Sequence, residues 1–452
     1  MRRGPRNHLS ERLAERLEQL ARLLEQLANR FAPIADRLEP LANRLAPFAG
    51  HYGSLRHLRD PRLALLGAAN LLDKSSTSIV VPLLPLYAER LGAGPILLGL
   101  VFALPTAVSA LLSAPAGYVG DRLARKPLIV AGTALSAVGV VGLAFVSDPR
   151  WLLAFRAVDG VGSAMRTATT TAYLGDLADD GSRGSVMGAY QTLGMLSVAL
   201  GPALGGTIVG ASTLSAPFLV LGGLTALGSL ALLRLPGTER TGNASNSEAI
   251  RSLSASDLRL RAAATPTVLA LAVSAAVSAV GTDALNPLLA PLLRATVGAG
   301  PSYVSFAWGC LGIGLALFVP VGGSLADRGG RKRGLVVGKA LWAAVAVGLV
   351  VGGHPLAPPA LLALGGVASA LSGPALGALR YETAPSGSEG AFVGLYGSLG
   401  AAGATAGPLL GAVAADAFAP AVAVVGVGLL WGIDALVVAA FVSEAQPSDG
   451  AR

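Results

Sequence analysis

Twelve apolar runs, each long enough to cross a bilayer, dominate this chain and leave it few folds to choose from. A span needs about 20 such residues. The first six runs are 63–88, 97–118, 128–146, 151–173, 188–209 and 214–235, and the second six are 268–293, 303–325, 334–352, 359–379, 391–414 and 420–442. With 53% hydrophobic and 13% charged residues among 452, and a mean hydropathy of +0.62, the chain holds too little polar surface to cover a water-soluble globule of this size. Its 59 glycines and 28 prolines would break soluble helices. In a bilayer, small residues instead let helices approach closely, and neighbours restore the backbone bonds that a break removes. The expected fold is an all-α membrane protein of twelve transmembrane helices.

Positive charge sets the expected orientation, because cytoplasmic loops accumulate Arg and Lys. These residues gather in the N-terminal region, in the polar stretch 236–265 and in the loops 121–126 and 327–333. The alternate loops show only Arg90, Arg150 and Arg294. Both termini are therefore expected to face the cytoplasm, in a multi-pass protein of the plasma membrane. The net charge of +8 comes almost wholly from Arg and carries no functional reading of its own. The stretch 236–265, rich in Ser, Asn and Arg, reads as a cytoplasmic linker between six-helix bundles at 61–235 and 266–442, with a tail at 443–452.

The two bundles are copies of one another. LGAGP at 91–95 returns as VGAGP at 297–301, Gly117 and Asp121 return as Gly323 and Asp327, and Gly201-Pro202 returns as Gly407-Pro408. Gly188 and Tyr190 match Gly394 and Tyr396 at the same offset of 206. One offset held across several helices marks a parallel internal repeat of the kind that builds two-domain transporters.

Residues 1–60 have a different character. Leu13, Leu17, Leu20, Leu24, Leu27, Phe31, Ile34, Leu38, Leu41, Leu45 and Phe48 alternate spacings of four and three, with Arg and Glu between them, an amphipathic pattern. Pro33, Pro40 and Pro47 interrupt a straight coiled coil. A kinked helix on the lipid surface, or against a protein partner, is expected; the alternative is a loosely helical tail with no partner.

Two loops carry a common signature: GYVGDRLARK at 117–126 and GSLADRGGRK at 323–332. Gly, an Asp four residues later, Arg and a basic pair, present twice in register, resemble the loop signature of the major facilitator superfamily. The matching positions are Gly117, Asp121, Arg122, Arg125 and Lys126, then Gly323, Asp327, Arg328, Gly330, Arg331 and Lys332; Ala124 stands where the second copy keeps Gly330. A carboxylate at a helix end can sit on the positive N-terminus of a neighbouring helix while bonding an adjacent Arg. The resemblance implies that Asp121 meets the start of the eleventh helix and Asp327 the start of the fifth, a conformational latch that parts and re-forms. In the fifth span Gly188, Ser197, Gly201-Pro202 and Gly205-Gly206 are similar to the signature of the drug:proton antiporter branch. Gly407-Pro408 repeats part of it, so generic helix packing is the competing reading.

Charges inside a span are costly and face a cavity or one another. Asp73 and Lys74 lie near the midplane, roughly 17 Å from Arg62 at about 1.5 Å per residue. Arg156, Asp159, Ser163 and Arg166 recur at spacings of three, four and three and so share one face of the fourth span. Arg156 with Gly160 resembles the superfamily's fourth-helix signature, which implies proton handling; Asp159 departs from the usual Gln. At the offset of 206, Arg156, Asp159 and Arg166 become Leu362, Gly365 and Ser372, so the copied scaffold stands without these charges. Function explains them better than fold does, a buried ion-pair network that only fixes packing being the alternative. Asn70, Lys74, Asp283 and Asn286 are expected to line the substrate cavity, Pro287 opening the backbone beside them. Asp434 is read as a lone acid that caps or pairs locally, and Lys339 as snorkelling to the helix end.

Several chemistries are excluded. The lone cysteine, Cys310, lies in an apolar run, and the histidines His8, His51, His57 and His354 lie outside the spans, so no metal site or imidazole relay is expected. GLVVGKA at 334–340 lacks the spacing and hydroxyl of a phosphate-binding loop. No cofactor, enzymatic activity or nucleic-acid partner is expected. Resemblance and charges together imply a transporter coupled to an ion gradient, most simply protons, with Asp73 the protonation site, Arg166 or Arg156 its partner, and efflux of a small amphipathic or drug-like solute. Alternatives are proton symport of an organic anion or sugar acid held by Lys74, Arg156 and Arg166, and a membrane sensor or scaffold recruited through residues 1–60.

Overall fold

The computed structural model describes residues 57–178, 182–236, 265–383 and 389–443. The amphipathic pattern of the N-terminal extension and most of the linker fall outside the described residues. Within them all twelve spans are α-helices: α1 Pro61–Arg90, α2 Pro95–Arg122, α3 Arg125–Leu143, α4 Trp151–Leu177, α5 Arg183–Ala211 and α6 Ala216–Ala231 in the first half. The second half holds α7 Pro266–Val297, α8 Pro301–Gly329, α9 Arg331–Val351, α10 Ala357–Glu382, α11 Glu389–Ala417 and α12 Pro420–Phe441. Ten are long and apolar enough to cross a membrane by length and composition. The two that fall short, α1 and α4, are those that carry Asp73 and Lys74, and Arg156, Asp159 and Arg166.

Most helices run past the apolar stretches, and the first helix of each half starts at a side-chain cap. Asp60 accepts the Arg62 backbone N–H at 2.8 Å ahead of Pro61, and Thr265 accepts that of Val268 at 3.2 Å ahead of Pro266. Pro at the first position forfeits only an N–H that the helix leaves unpaired. The turns after α1 and α7 use Gly92 and Gly298 at φ 84° and 65°, again 206 residues apart. The loops bearing the shared signature differ: Gly330 takes φ 93°, open to glycine, whereas Ala124 is extended at φ −60°.

Packing repeats as faithfully as sequence. In the first half α1 lies on α5 and α6, α3 on α4 and α6, and α2 on α4; in the second, α7 lies on α11 and α12, α9 on α10 and α12, and α8 on α10. A Cβ placed on Gly132 of α3 would lie 2.8 Å from the Gly162 carbonyl oxygen of α4, and one on Gly338 of α9 2.6 Å from the Ala368 carbonyl oxygen of α10. Between halves, α2 crosses α11 and α5 crosses α8. Gly99 there faces Ala412, while Gly206 faces Ser305, the same contact with the roles of the halves exchanged.

The apolar core is forked. One continuous cluster joins both halves at the end far from the linker, running from Ile79 and Phe102 to Leu288 and Trp431. At the linker end the core divides in two, around Leu63, Tyr173 and Leu235 in the first half and Leu271, Tyr396 and Val438 in the second. Arg294 of α7 bonds Glu89 of α1 at 2.6 Å across the closed end. The halves are thus joined at one end and separately packed at the other.

Where helix backbones touch, no side chain fits. A Cβ on Gly162 would stand 2.5 Å from the Gly132 carbonyl oxygen, so Gly162→Val is expected to lower stability by about 1–3 kcal/mol. Gly175 of the same helix faces open space, and Gly175→Ala is expected to stay within about 0.5 kcal/mol of the native protein. Thermal unfolding in detergent measures both, and equal effects would refute the packing account.

Candidate functional site

The charges of α1 and α4 meet beside a cavity of about 340 Å³. Lys74 and Thr77 of α1, Pro105, Thr106 and Ser109 of α2, and Arg156, Asp159, Ser163 and Arg166 of α4 border it, with Ala401 of α11 contributed by the other half. The fourth-helix stripe thus lies on one wall. Spacings of three and four keep its members within a narrow arc of a 3.6-residue helix.

Inside the wall the charges sort into pairs. Asp73 is 0% exposed and its Oδ2 lies 2.7 Å from Arg166 Nη2. Arg156 Nη1 donates to Asp159 Oδ2 at 2.6 Å, and Arg156 Nε donates to the Val101 carbonyl at 3.2 Å, tying α4 to α2. Of the two arginines expected as partners of Asp73, the structure selects Arg166, because Asp159, one turn along α4, occupies Arg156. Adjacent helix positions point about 100° apart, so Lys74 faces the opening while Asp73 points into the bundle. Lys74 is exposed and makes no hydrogen bond or ion pair among the described residues. Behind Asp73, Ser76 and Thr77 donate to its backbone carbonyl at 2.8 and 3.1 Å, and Thr225 of α6 donates to Ser76 Oγ at 3.1 Å.

Three expected cavity residues lie elsewhere. Asn70 is buried against α5, donating to the Tyr190 carbonyl at 3.2 Å beside Gly194. Asp283 and Asn286 border neither described cavity; Asn286 donates to Asp283 Oδ1 at 3.1 Å along their own helix. That helix continues unbroken through Pro287, so the backbone does not open there. Lys339 and Asp434 also require correction. Lys339 does not snorkel: its Nζ is bonded to Asp434 Oδ2 and to Ser278 Oγ inside the second half. Ninety-five residues separate the two partners, and neither helix pattern alone announces the other.

The signature loops are described in part. Gly117 and Gly323 do not hold two helices together, since a Cβ on either would meet nothing within 4 Å. The side chains of Asp121, Asp327 and Arg328 fall outside the described residues. Arg122 stacks on the Tyr118 ring, 3.9 Å from its centre. Arg125 bonds Asp176 of α4, and Arg331 bonds Glu382 of α10. Both acids escaped the sequence reading although the offset of 206 maps one onto the other. Lys126 and Lys332 lie partly exposed in the first turns of α3 and α9. The fifth-helix glycines pack closely: Gly201 against the Ser75 carbonyl, Gly205 against Ile79 and Gly206 against Ser305, with Pro202 inside the helix. In α11, Gly407 does the same against the Val280 carbonyl, followed by Pro408.

The family model described as Major Facilitator Superfamily matches residues 64–277 and 271–452. A multi-drug resistance efflux pump PmrA homolog of Lactococcus lactis is 31% identical over 160 residues, 34% of this chain and 39% of that protein. The chain thus spans about two fifths of the length of the curated relatives it matches. A bacterial homolog of the human lysosomal transporter Spinster, in an inward-facing and occupied conformation, superposes with a TM-score of 0.70 at 16% identity, over 84% of this chain and 96% of that one. A D-xylose-proton symporter superposes at 0.69 and 18% identity, over 84% and 97%. At such identities these structures establish the fold alone.

Removing one member of a buried ion pair strands the other. Asp159→Asn is therefore expected to cost about 3–5 kcal/mol, and the pair Arg156→Met with Asp159→Leu is expected to recover most of that loss. Thermal unfolding in detergent compares the two, and a double variant no more stable than Asp159→Asn would refute the stranded-charge account.

Proposed function

The chain belongs to the Major Facilitator Superfamily, and on that footing we propose that it is a proton-coupled secondary transporter that exports a small amphipathic solute by alternating access. The observation that carries this reading is the Asp73–Arg166 pair, fully enclosed on the Asp73 side yet joined to a residue on the cavity wall. Protonation of Asp73 removes the charge that holds Arg166, and the freed guanidinium changes the potential of the cavity. The forked core supplies the movement: the bundles 61–235 and 266–442 rock about the closed contacts at α2–α11 and α5–α8, with the linker end opening to the cytoplasm. The positive loops support that orientation, with both termini cytoplasmic in the plasma membrane. Asp121 and Asp327 close the linker end in the opposite state, and Gly206 against Ser305 and Gly99 against Ala412 are the close contacts about which the halves turn.

Charge arithmetic gives the direction of coupling. Lys74, Arg156 and Arg166 outweigh Asp73 and Asp159 by one positive charge, and by two once Asp73 is neutral. A cationic solute thus binds less well after protonation, which is antiport. The name of the Lactococcus relative, an efflux pump homolog, favours the same direction. A second reading rests on Lys74, the cavity-facing cation without a described partner: an anionic solute would bind better after protonation, which is symport. Asp283, Asn286 and Asn70 act in either scheme through the moving helices α7 and α1.

In vesicles with an internal pH dye, Asp73→Asn is expected to abolish solute-induced proton movement, read well below the unfolding temperature, which the stranded Arg166 lowers. Native-like coupling in this variant would dismiss Asp73 as the proton carrier. In the same assay Lys74→Ala is expected to lower transport of anionic solutes at least tenfold if symport is correct, and to strengthen binding of cationic solutes if export is, because the cavity loses one positive charge.

A further inference from the structure

The second half lacks the charges of α4, yet it buries an ion pair of its own. Lys339 of α9 and Asp434 of α12 are 3% and 0% exposed along their side chains, and Ser278 of α7 bonds both. At the offset of 206 these positions are Thr133 and Gly228 in the first half. There the Thr133 hydroxyl is satisfied by the Ile129 carbonyl at 2.8 Å, and Gly228 faces Leu72 and Ala69. The same helix packing therefore stands in one copy with no charge. An apolar pair would serve the fold at least as well, and ionisable groups inside a membrane are by default functional.

A second cavity, of about 200 Å³, reaches Lys339 and Ser278, the two groups bonded to Asp434, which itself lies behind them. Lys339, Ser278 and Thr282 border it, with Ser369 and Ser372 of α10. Trp342 and Trp431, ring centres 4.7 Å apart, form its apolar wall, and the Trp342 indole N–H donates to Ser369 Oγ at 2.9 Å. The space exceeds the roughly 30 Å³ that a water occupies, and its hydroxyls supply the partners that water needs. Asp434 Oδ2 takes both Lys339 and Ser278, whereas Oδ1 is buried and makes no hydrogen bond among the described residues. A buried acceptor left without a donor is an expensive arrangement to keep unless something comes to it.

We propose that Asp434 is a second proton-binding site, loaded through this cavity, with Lys339 as the counter-ion that protonation releases. The step moves one proton: a hydronium in the cavity passes it to the Ser278 hydroxyl, which gives its own proton to Asp434 Oδ2, leaving water, an intact hydroxyl and a neutral carboxylic acid. The Lys339 ammonium then turns to the Ser278 hydroxyl and the cavity. Another charge acting on the pair is that of Arg380 on α10, whose guanidinium lies 5.5 Å from the Tyr396 ring centre of α11. On α7 the nearest acid, Asp283, is bonded to Asn286. Other charged residues on α9 are in its first turn, on α8 in its last, and α12 has none besides Asp434. The site goes beyond the proposed export function and does not rest on Asp73, which lies in the other half.

Infrared difference spectra of the full chain in lipid vesicles, taken between mildly acidic and mildly alkaline pH, read buried carboxyl groups directly and need no solute. The native protein is expected to show a protonated-carboxyl C=O band that persists in Asp73→Asn and disappears in Asp434→Asn. It is expected to disappear equally in the double variant Lys339→Thr with Asp434→Gly, which installs the first half's own residues and keeps the test open if Asp434→Asn does not fold. Spectra of the Asp434 variants that superpose on the native one would overturn the proposal. A separate loss of signal in Asp73→Asn reports on the first site alone, so failure of either assignment is distinguishable from failure of the other.

Discussion

A charged side chain in a bilayer has nowhere to find its partner except inside the protein, and the interior of this molecule is organised by that requirement. Asp73 joins α1 to α4 through Arg166, Arg156 joins α4 to α2 through Val101, and Lys339 joins α9 to α12 through Asp434. Each contact links helices distant in sequence. The two that pair a carboxylate with a cation are also conditional on protonation state, because a neutral carboxyl no longer balances the cation beside it. Small residues supply the unconditional part of the packing, through backbone contacts that no pH change alters.

Duplication explains most of the architecture and makes its exceptions informative. The helix contacts, the glycine turns, the close approach of α3 to α4 and the Arg125–Asp176 and Arg331–Glu382 bonds all appear twice. The midspan ion pairs do not. Each half carries charge where its copy carries Thr, Ser, Gly or an apolar residue, so the scaffold has been shown by its own twin to stand without it. Symmetric contacts build two similar bodies joined at one end by a common core. Asymmetric charges give those bodies something to respond to.

Much of this was legible before any coordinates, and the reasons are local. A run of about 20 apolar residues has one stable form in lipid, so all twelve helices follow from hydropathy, and the α4 stripe follows from the helical period. Reading failed where a residue's meaning depends on a distant partner. Lys339, taken to snorkel, and Asp434, taken as a lone acid, are one ion pair. Asn70, placed beside Asp73 in sequence, turns away to α5. The backbone opening expected at Pro287 is not found, for α7 runs helical through it, packed by α1, α11 and α12. Asp176 and Glu382 were within reach of the repeat offset and were overlooked because they lie near span ends, where charge draws no attention.

What the amino-acid sequence determined alone is the number of helices, their duplication and the family, since these depend on composition, periodicity and spacing along one chain. Tertiary structure decided which acid meets which base, which charge is left facing the cavity, and at which end the halves are joined. Those outcomes depend on the angle at which separate helices cross and on which face each presents, quantities set only when all twelve pack together.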